Sequence, residues 1–418
     1  MRTFLELLPY RIEQALNLRS LRAIRTRRSR RQTAPALAQS AAPPRRPRLF
    51  IDMAVISNHD AGTGIQRVVR ALALALLDEN PVAWDIRFVS ARRKRRYFEI
   101  GWPEPAPAHP VGEEMRGQLG DVFVGLDYSL DAVRRHRRQL AHFRRSGGTL
   151  WFLVHDLLPL DRPEWFSRNT VIRYGAWLGV LAGLADGFLC NSPQTESELR
   201  NALSRVHGLS HGFSTQVLPM GHAILDAPHT SRNAPVAARF DTAAPFALMV
   251  GTLEPRKAHD EVLAAFDVLW RQGRADRLVL VGRLGWQVEF LRDRIINHPE
   301  YTRRLLWMDD VSDAELFAIY EACTGVVIAS HGEGFGLPLI EALGHGKPVL
   351  ARDLPVFRIH EERGVHFFPA TASSQALADA AQVWLDAARA GKITVSAPTD
   401  DWRASARMLL TALDGNNK

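Results

Sequence analysis

Covalent and metal staples are scarce in this chain of 418 residues: it has two cysteines, Cys190 and Cys323, far apart and set in apolar runs. That excludes a disulfide framework and a zinc module built on cysteine pairs. No Asp-x-Asp pair occurs, nor a Cys/His cluster at zinc spacing, a Gly-x-Ser-x-Gly elbow or a P-loop pattern. The residues that usually carry zinc chemistry, serine hydrolysis and P-loop phosphoryl transfer are therefore missing. Long apolar runs are missing too. The most apolar internal stretch, Tyr174 to Cys190, is broken by Gly175, Gly179, Gly183, Asp186 and Gly187. It falls short of the roughly 18–20 residues that a membrane span requires.

Acidic residues are rare in one place only. Residues 1–48 hold twelve arginines against Glu6 and Glu13, while the remaining 370 carry 41 basic and 43 acidic groups. The formal net charge of +8 thus belongs to an N-terminal arm, and the body is slightly acidic. Within the arm, Phe4, Leu5, Leu7, Leu8, Ile12, Leu16, Leu18, Leu21 and Ile24 recur at helical spacing. A basic run, Arg25 to Arg31, follows, and the Ala/Pro/Gln/Ser stretch to Pro47 reads as a flexible linker. No uninterrupted apolar core of a secretory signal follows the first basic residue. Two readings stay open: a basic amphipathic helix lying on an anionic membrane surface, or a solvated tail. The first places the protein in the cytoplasm, peripheral on the inner face of the cytoplasmic membrane.

Hydrophobic residues make up 46% of the chain and charged ones 23%, a globular balance. From Arg48 onward, short β-rich runs alternate with helical stretches, which predicts an α/β protein with parallel sheets. Strands are expected at Leu49–Met53, Trp84–Val89, Asp121–Val124, Thr149–Val154, Gly187–Asn191 and Thr215–Leu218. A second series is expected at Phe246–Val250, Leu278–Val281, Leu305–Met308, Gly325–Ala329 and Pro348–Ala351. Two doubly wound domains, 49–226 and 246–390, joined by a proline-bearing linker at 227–245, are the simplest architecture. Ligands in such domains bind at the carboxyl ends of strands, so a cleft between the domains is expected.

The richest segment runs from Ser330 to Glu341 and contains Glu333, Gly334, Phe335, Gly336, Leu337 and Pro338. It follows an apolar strand and opens a helix. Its glycines let the backbone approach a ligand, and the helix start offers free N–H groups to an anion. Glu333 sits in the loop and Glu341 about two turns into the helix, so two carboxylates flank a candidate phosphate site. A second segment, Gly251-Thr252-Leu253-Glu254-Pro255-Arg256-Lys257, ends a strand with two cations. Fixed cations at a strand end suit a negatively charged group, whose charge they stabilise. Gly62 and Gly64 lie in a strand–helix loop, and His155 follows an apolar strand beside Asp156.

The Glu-x7-Glu pattern in the setting Glu-Gly-Phe-Gly-Leu-Pro-Leu-Ile-Glu resembles the signature of retaining glycosyltransferases with the GT-B fold, in glycosyltransferase family four. The subgroup it most resembles contains mannosyltransferases of bacterial surface polysaccharides that use GDP-mannose. This resemblance implies two Rossmann-like domains facing a central cleft, and a metal-independent enzyme without cofactor. It also implies that Arg256 and Lys257 hold the donor diphosphate with the Gly334–Leu337 loop, that Glu341 binds the ribose, and that Glu333 binds donor-sugar hydroxyls. His155 matches the histidine that faces the donor sugar, and Gly62 and Gly64 match a loop that approaches the diphosphate or the acceptor. Many relatives carry an arginine where this chain has Thr252. A Trp-led terminal helix at Trp402 resembles one that returns to the N-terminal domain, so the segment 391–418 is expected to end there. The implied partners are a nucleotide sugar and a lipid-diphosphate-linked glycan acceptor of O-antigen, capsule or exopolysaccharide synthesis, with no nucleic acid. Two rivals are a sugar-nucleotide 2-epimerase of the same fold and a non-enzymatic protein that binds membrane or nucleic acid through the arm and the clusters Arg92–Arg96 and Arg134–Arg138.

Overall fold

The computed structural model describes residues 19–34, 45–79, 81–103, 111–224, 239–242 and 244–415. The chain divides into two compact units, Met1–Pro219 with Trp402–Lys418, and Met220–Asp401. Most of the connection expected over 227–245, and most of the apolar stretch expected over 4–24, lie outside the described residues.

The first unit holds β1 (Arg48–Asp52), β2 (Asp85–Arg92), β3 (Arg95–Ile100), β4 (Val122–Gly125), β5 (Thr149–Val154), β6 (Gly187–Cys190) and β7 (Ser214–Val217). Their order in the sheet is β3-β2-β1-β4-β5-β6-β7. All neighbours are parallel except β2 and β3. Strands β4 and β6 are buried along their whole length and β1 and β5 from their second residue on, as expected when helices cover both faces of a parallel sheet. The strand β3 is an addition to the sequence-based expectation. It grows out of the Arg92–Arg96 cluster, with Arg92 paired to Arg95 and the Arg95 guanidinium 3.5 Å from the Phe98 ring centroid. Edge strands carry charge outward to block further pairing, so a strand of this kind reads in sequence as a solvated turn.

The arm is the main correction. Arg19–Thr33 forms one helix that runs through the basic run, and it packs on the helices Arg168–Leu184 and Pro193–His207 of the first unit. Small residues make that approach possible: a Cβ on Gly183 would lie 2.9 Å from the Ser29 Oγ, and one on Gly208 would lie 2.8 Å from the Ala23 Cβ. Arg30 donates to the carbonyls of Ala182 (3.3 Å) and Ala185 (2.8 Å), satisfying the last turn of Arg168–Leu184. Arg144 donates in turn to the Thr33 hydroxyl at 2.9 Å. The basic run therefore caps and bridges helices, and part of its charge is consumed by structure. At the other end of the chain, the helix Trp402–Gly415 packs on Gly64–Glu79, with Arg407 on Glu79 at 2.8 Å and the Trp84 Nε1 donating to Asp414 at 3.2 Å.

Strand order reverses between β1 and β4, and Asp52 lies fully buried there at the end of β1. It accepts from the hydroxyls of Tyr97 (3.0 Å) and Ser129 (2.5 Å) and from the Ala54 amide (2.9 Å). Burial, and then the neighbouring Asp127, push its pKa up to about 7. A raised folded-state value means that the folded chain keeps a proton the unfolded chain has already released. The stabilisation is complete below about pH 4, the ordinary aspartate range, and is lost as pH rises through the folded value. The thermal midpoint of the first unit should therefore fall between about pH 4 and 7 and level off above that, and Asp52→Asn, always neutral, should flatten that slope. An unchanged slope in the variant would assign the effect to another group.

The second unit contains β8 (Phe246–Val250), β9 (Arg277–Val281), β10 (Leu305–Met308), β11 (Gly325–Ile328), β12 (Val349–Arg352) and β13 (Val365–Phe368). The order β10-β9-β8-β11-β12-β13 is parallel throughout. β13, four residues at the sheet edge with His366 exposed, is too short for a periodic signal and was not among the expected strands. The switch point of this sheet lies between β8 and β11.

Candidate active site

Both cation and glutamate segments sit at the carboxyl ends of the two strands that flank that switch point. After β8 the chain turns at Gly251, runs through Thr252 and enters a short 3-10 turn, Pro255–Lys257. The loop after β9 holds it from the side. Gly251 donates to the Val281 carbonyl (2.9 Å), Leu253 to Arg283 (2.8 Å) and Gly285 back to Leu253 (2.8 Å). Gly282, with φ of 157°, would bring a Cβ to 2.0 Å from the Gly251 oxygen, so no larger residue fits there. Gly282 and Gly285 are site-building residues that the sequence reading missed. Their only signal is the Val-Gly-Arg-Leu-Gly run directly after a strand.

After β11, the loop from Ser330 meets this turn. The His331 amide donates to the Arg256 carbonyl at 2.8 Å. Glu333 is the centre of the contact. Lys257 Nζ and Ser330 Oγ donate to its Oε1 at 2.5 and 2.6 Å, and Arg256 Nη1 donates to its Oε2 at 3.0 Å. Burial of the carboxyl would raise its pKa, but Lys257 and Arg256 outweigh that and hold it down at about 2. Glu333 is thus an anion at any working pH. Of about four hydrogen bonds that a carboxylate accepts, one place on Oε2 remains.

The two cations differ. Arg256 is also bound to the Gly332 carbonyl (2.8 Å) and to Glu254 (2.6 Å), so its fork clamps the two loops together. Lys257 pairs with Glu333, leaving two of its three N–H donors for a ligand. Thr252, Gly334, Phe335 and Leu337 lie in the same pair of loops. Gly336 has a structural reason of its own: φ is 91° and a Cβ would lie 2.4 Å from the Phe357 ring. The helix that follows is Leu337–Gly344, and Glu341, four residues past its start, stands just over one turn in and not the two turns expected. Glu341 is 1% exposed and accepts from the Tyr320 hydroxyl at 3.0 Å, which fixes its direction.

A second tier supports this loop and was not legible in the sequence. Arg352, at the end of β12, is 2% exposed and donates to the carbonyls of Ala329 (2.8 Å) and Ala370 (2.5 Å) and to Glu261 (2.6 Å). The other oxygen of Glu261 meets His331 Nε2 at 2.8 Å.

The remaining expected residues lie in the first unit. His155 directly follows β5, is 7% exposed, and meets the Leu126 carbonyl through Nε2 at 3.4 Å. Burial lowers its pKa to about 4, so its ring is neutral near pH 7. Asn191 holds the His155 carbonyl from the end of β6 (2.8 Å). Gly62 and Gly64 lie between β1 and the helix Gly64–Glu79. Gly62 has φ of 64°, and the loop is stitched by Gln66, which accepts from the amides of Ala61 (2.9 Å) and Thr63 (3.2 Å). The Gly62 amide donates to Asp60 at 3.0 Å, so three of that loop's N–H groups are already spent.

Residues 231–392 match the family described as Glycosyl transferases group 1. That segment is a group 1 glycosyltransferase domain. It is 34% identical over 350 residues to the serotype-specific mannosyltransferase WbdA of Escherichia coli, covering 81% of this chain and 41% of that protein. The chain thus spans about two fifths of the length of the curated relatives it matches. Among solved structures, the chain is similar to sucrose-phosphate synthase from Thermosynechococcus elongatus, with a TM-score of 0.55, 19% identity, and 88% and 94% of the two chains covered. It is likewise similar to Anabaena HepE in complex with UDP-glucose, with a TM-score of 0.55, 16% identity, and 88% and 98% covered. These likenesses establish the fold, two doubly wound α/β domains of the GT-B class.

Proposed function

We propose that this glycosyltransferase moves mannose from GDP-mannose to a lipid-diphosphate-linked glycan with retention at the sugar carbon. The observation that carries the reading is Lys257: a cation with donors to spare, at the switch point of the second sheet, locked beside a permanently ionised Glu333. The mannosyltransferase relatives support the choice of sugar. In this reading Lys257 stabilises the departing diphosphate without needing a metal ion, and Arg256 keeps the two loops in register. The one open position on Glu333 takes a donor-sugar hydroxyl, Glu341 orients the ribose, and neutral His155 positions the sugar. The leaving phosphate itself takes the acceptor proton as the acceptor attacks from the same face.

The direct test is a screen of GDP- and UDP-sugars, following nucleotide release with and without a lipid-diphosphate glycan. Release from GDP-mannose only when acceptor is present is the expected result; selective turnover of a UDP-sugar would overturn the donor.

The reading also places the enzyme on the anionic inner face of the cytoplasmic membrane. No described helix is long and apolar enough to cross a membrane. What supports surface contact is the outward side of Arg19–Thr33, where Ile24, Arg27, Arg28 and Arg31 are exposed on one helix face. At about 1 kcal/mol per basic residue near such a surface, Arg27→Glu with Arg31→Glu should weaken sedimentation with phosphatidylserine vesicles tenfold or more. Equal sedimentation of the variant would remove the helix from the membrane.

A further inference from the structure

The first unit has a cavity of its own at its switch point, beside the ends of β1, β2 and β4, with a volume of about 330 Å³. Two arginine clusters that look in sequence like separate solvated faces meet around it. Arg92 ends β2, Arg93 opens the turn to β3, Arg135 comes from the helix Leu130–Arg135, and Arg173 from the helix Arg168–Leu184. Asp131 is the sole acid in the lining, so four guanidinium groups face one carboxylate.

The walls are built rather than merely crowded. Arg173 grips Asp131 through two bonds, at 3.1 and 2.8 Å. Arg92 Nε donates to Asn58 Oδ1 at 3.2 Å, and Asn58 is in turn tied to the Ala54 carbonyl at 2.6 Å. The loop carrying Asn58 is pinned by the buried Asp127, whose carboxylate accepts from the amides of Val55 (2.6 Å) and Ile56 (2.9 Å). Arg93 and Arg135 make no hydrogen bond or ion pair among the described residues. Both forks are therefore available to an anion.

We infer that this cavity is a binding site for a phosphate or diphosphate ester, held by Arg93 and Arg135 with Arg92 and Arg173 behind them. Arginine forks match phosphate oxygens in pairs, and the local surplus of positive charge favours a multiply charged group over a single carboxylate. The volume lies at the small end of ligand pockets, enough for a headgroup and not for a lipid tail or an oligosaccharide. This assignment rests on the proposed reading for its source only: in a transferase with a lipid-diphosphate acceptor, the headgroup to be held in the first unit is that diphosphate.

The test is titration of the intact chain with farnesyl diphosphate, with inorganic pyrophosphate and with GDP, each against the wild type and Arg93→Ala/Arg135→Ala. Both residues are exposed, so the variant is expected to fold, which circular dichroism checks. Farnesyl diphosphate and pyrophosphate should each bind at least tenfold more weakly to the variant, with GDP affinity unchanged. Tighter binding of the farnesyl ester than of pyrophosphate supports a lipid source, and equal binding supports recognition of the diphosphate itself. Wild-type affinity in the variant overturns the site, as does an equal loss of GDP binding, which would mean that all three ligands share one place. Failure of the chain to turn over GDP-mannose would sink the donor reading while leaving this binding result intact.

Discussion

Lys257→Ala lowers donor turnover by roughly 100- to 1,000-fold, the range seen when one preorganised donor to a developing anion is removed. The expectation follows from how the two cations are employed. Arg256 already serves Glu254, Glu333 and the Gly332 carbonyl, so its charge is largely matched inside the chain. Lys257 is matched to Glu333 at 2.5 Å and keeps two donors. As the sugar–phosphate bond breaks, charge moves onto the phosphate, and only a group that strengthens its bonds at that moment accelerates the step. The loss should fall mainly on kcat, and Lys257→Arg should recover part of it, because a fork can reach the same oxygens at a different angle. Turnover within about threefold of wild type would take the donor phosphate away from this loop. Arg256→Ala should behave differently, loosening both loops and lowering stability along with activity.

Arg352→Ala should destabilise the second unit by about 3 kcal/mol, although Arg352 touches none of the residues proposed for the donor. Its removal strands the buried carbonyl of Ala329, leaves that of the exposed Ala370 to water, and releases Glu261, which holds His331. Ala329 is the residue after β11, directly before Ser330, so the damage lands at the root of the Glu333 loop. For a unit of this size that loss should lower Tm by roughly 10 °C. Arg352→Lys should restore less than half, since one ammonium cannot span three acceptors in different directions. A shift below about 2 °C in the alanine variant would show that water replaces the guanidinium at no cost.

How far these groups could be read in advance depends on the range of the interactions. The strands Thr149–Val154, Phe246–Val250 and Leu305–Met308 stand where apolar runs between turn residues placed them, and the other expected strands lie within a few residues, whereas β3 and β13 had no such run. Glu333, Lys257 and Arg256 stood out through the Glu-x7-Glu pattern and the strand-end cations, and the structure brings the three side chains together. The structure adds that Glu333 spends most of its hydrogen-bonding capacity on the two cations. Arg352 and Glu261 were invisible: on paper they are one charge at a strand end and another on a helix, 91 residues apart. The helix Arg19–Thr33 was legible as basic and helical in part, but its docking depends on Gly183 and Gly208, which carry no local mark of a partner.

By itself, the sequence determined the fold class, the alternation of strands and helices, and the two chemical segments at 251–257 and 330–341. Periodicity and residue chemistry are local properties, and they survive without a third dimension. Tertiary structure decided which segments meet. Sheet order sets β8 beside β11, so that two loops more than seventy residues apart share one carboxylate, and it gathers Arg92, Arg93, Arg135 and Arg173 around one cavity. Strand order is settled by long-range packing and not by any single segment. For the same reason the charge of +8 had two fates that composition could not separate. Part of it ties the Arg19–Thr33 helix onto the first unit, and the arginines on the outer side of that helix remain exposed.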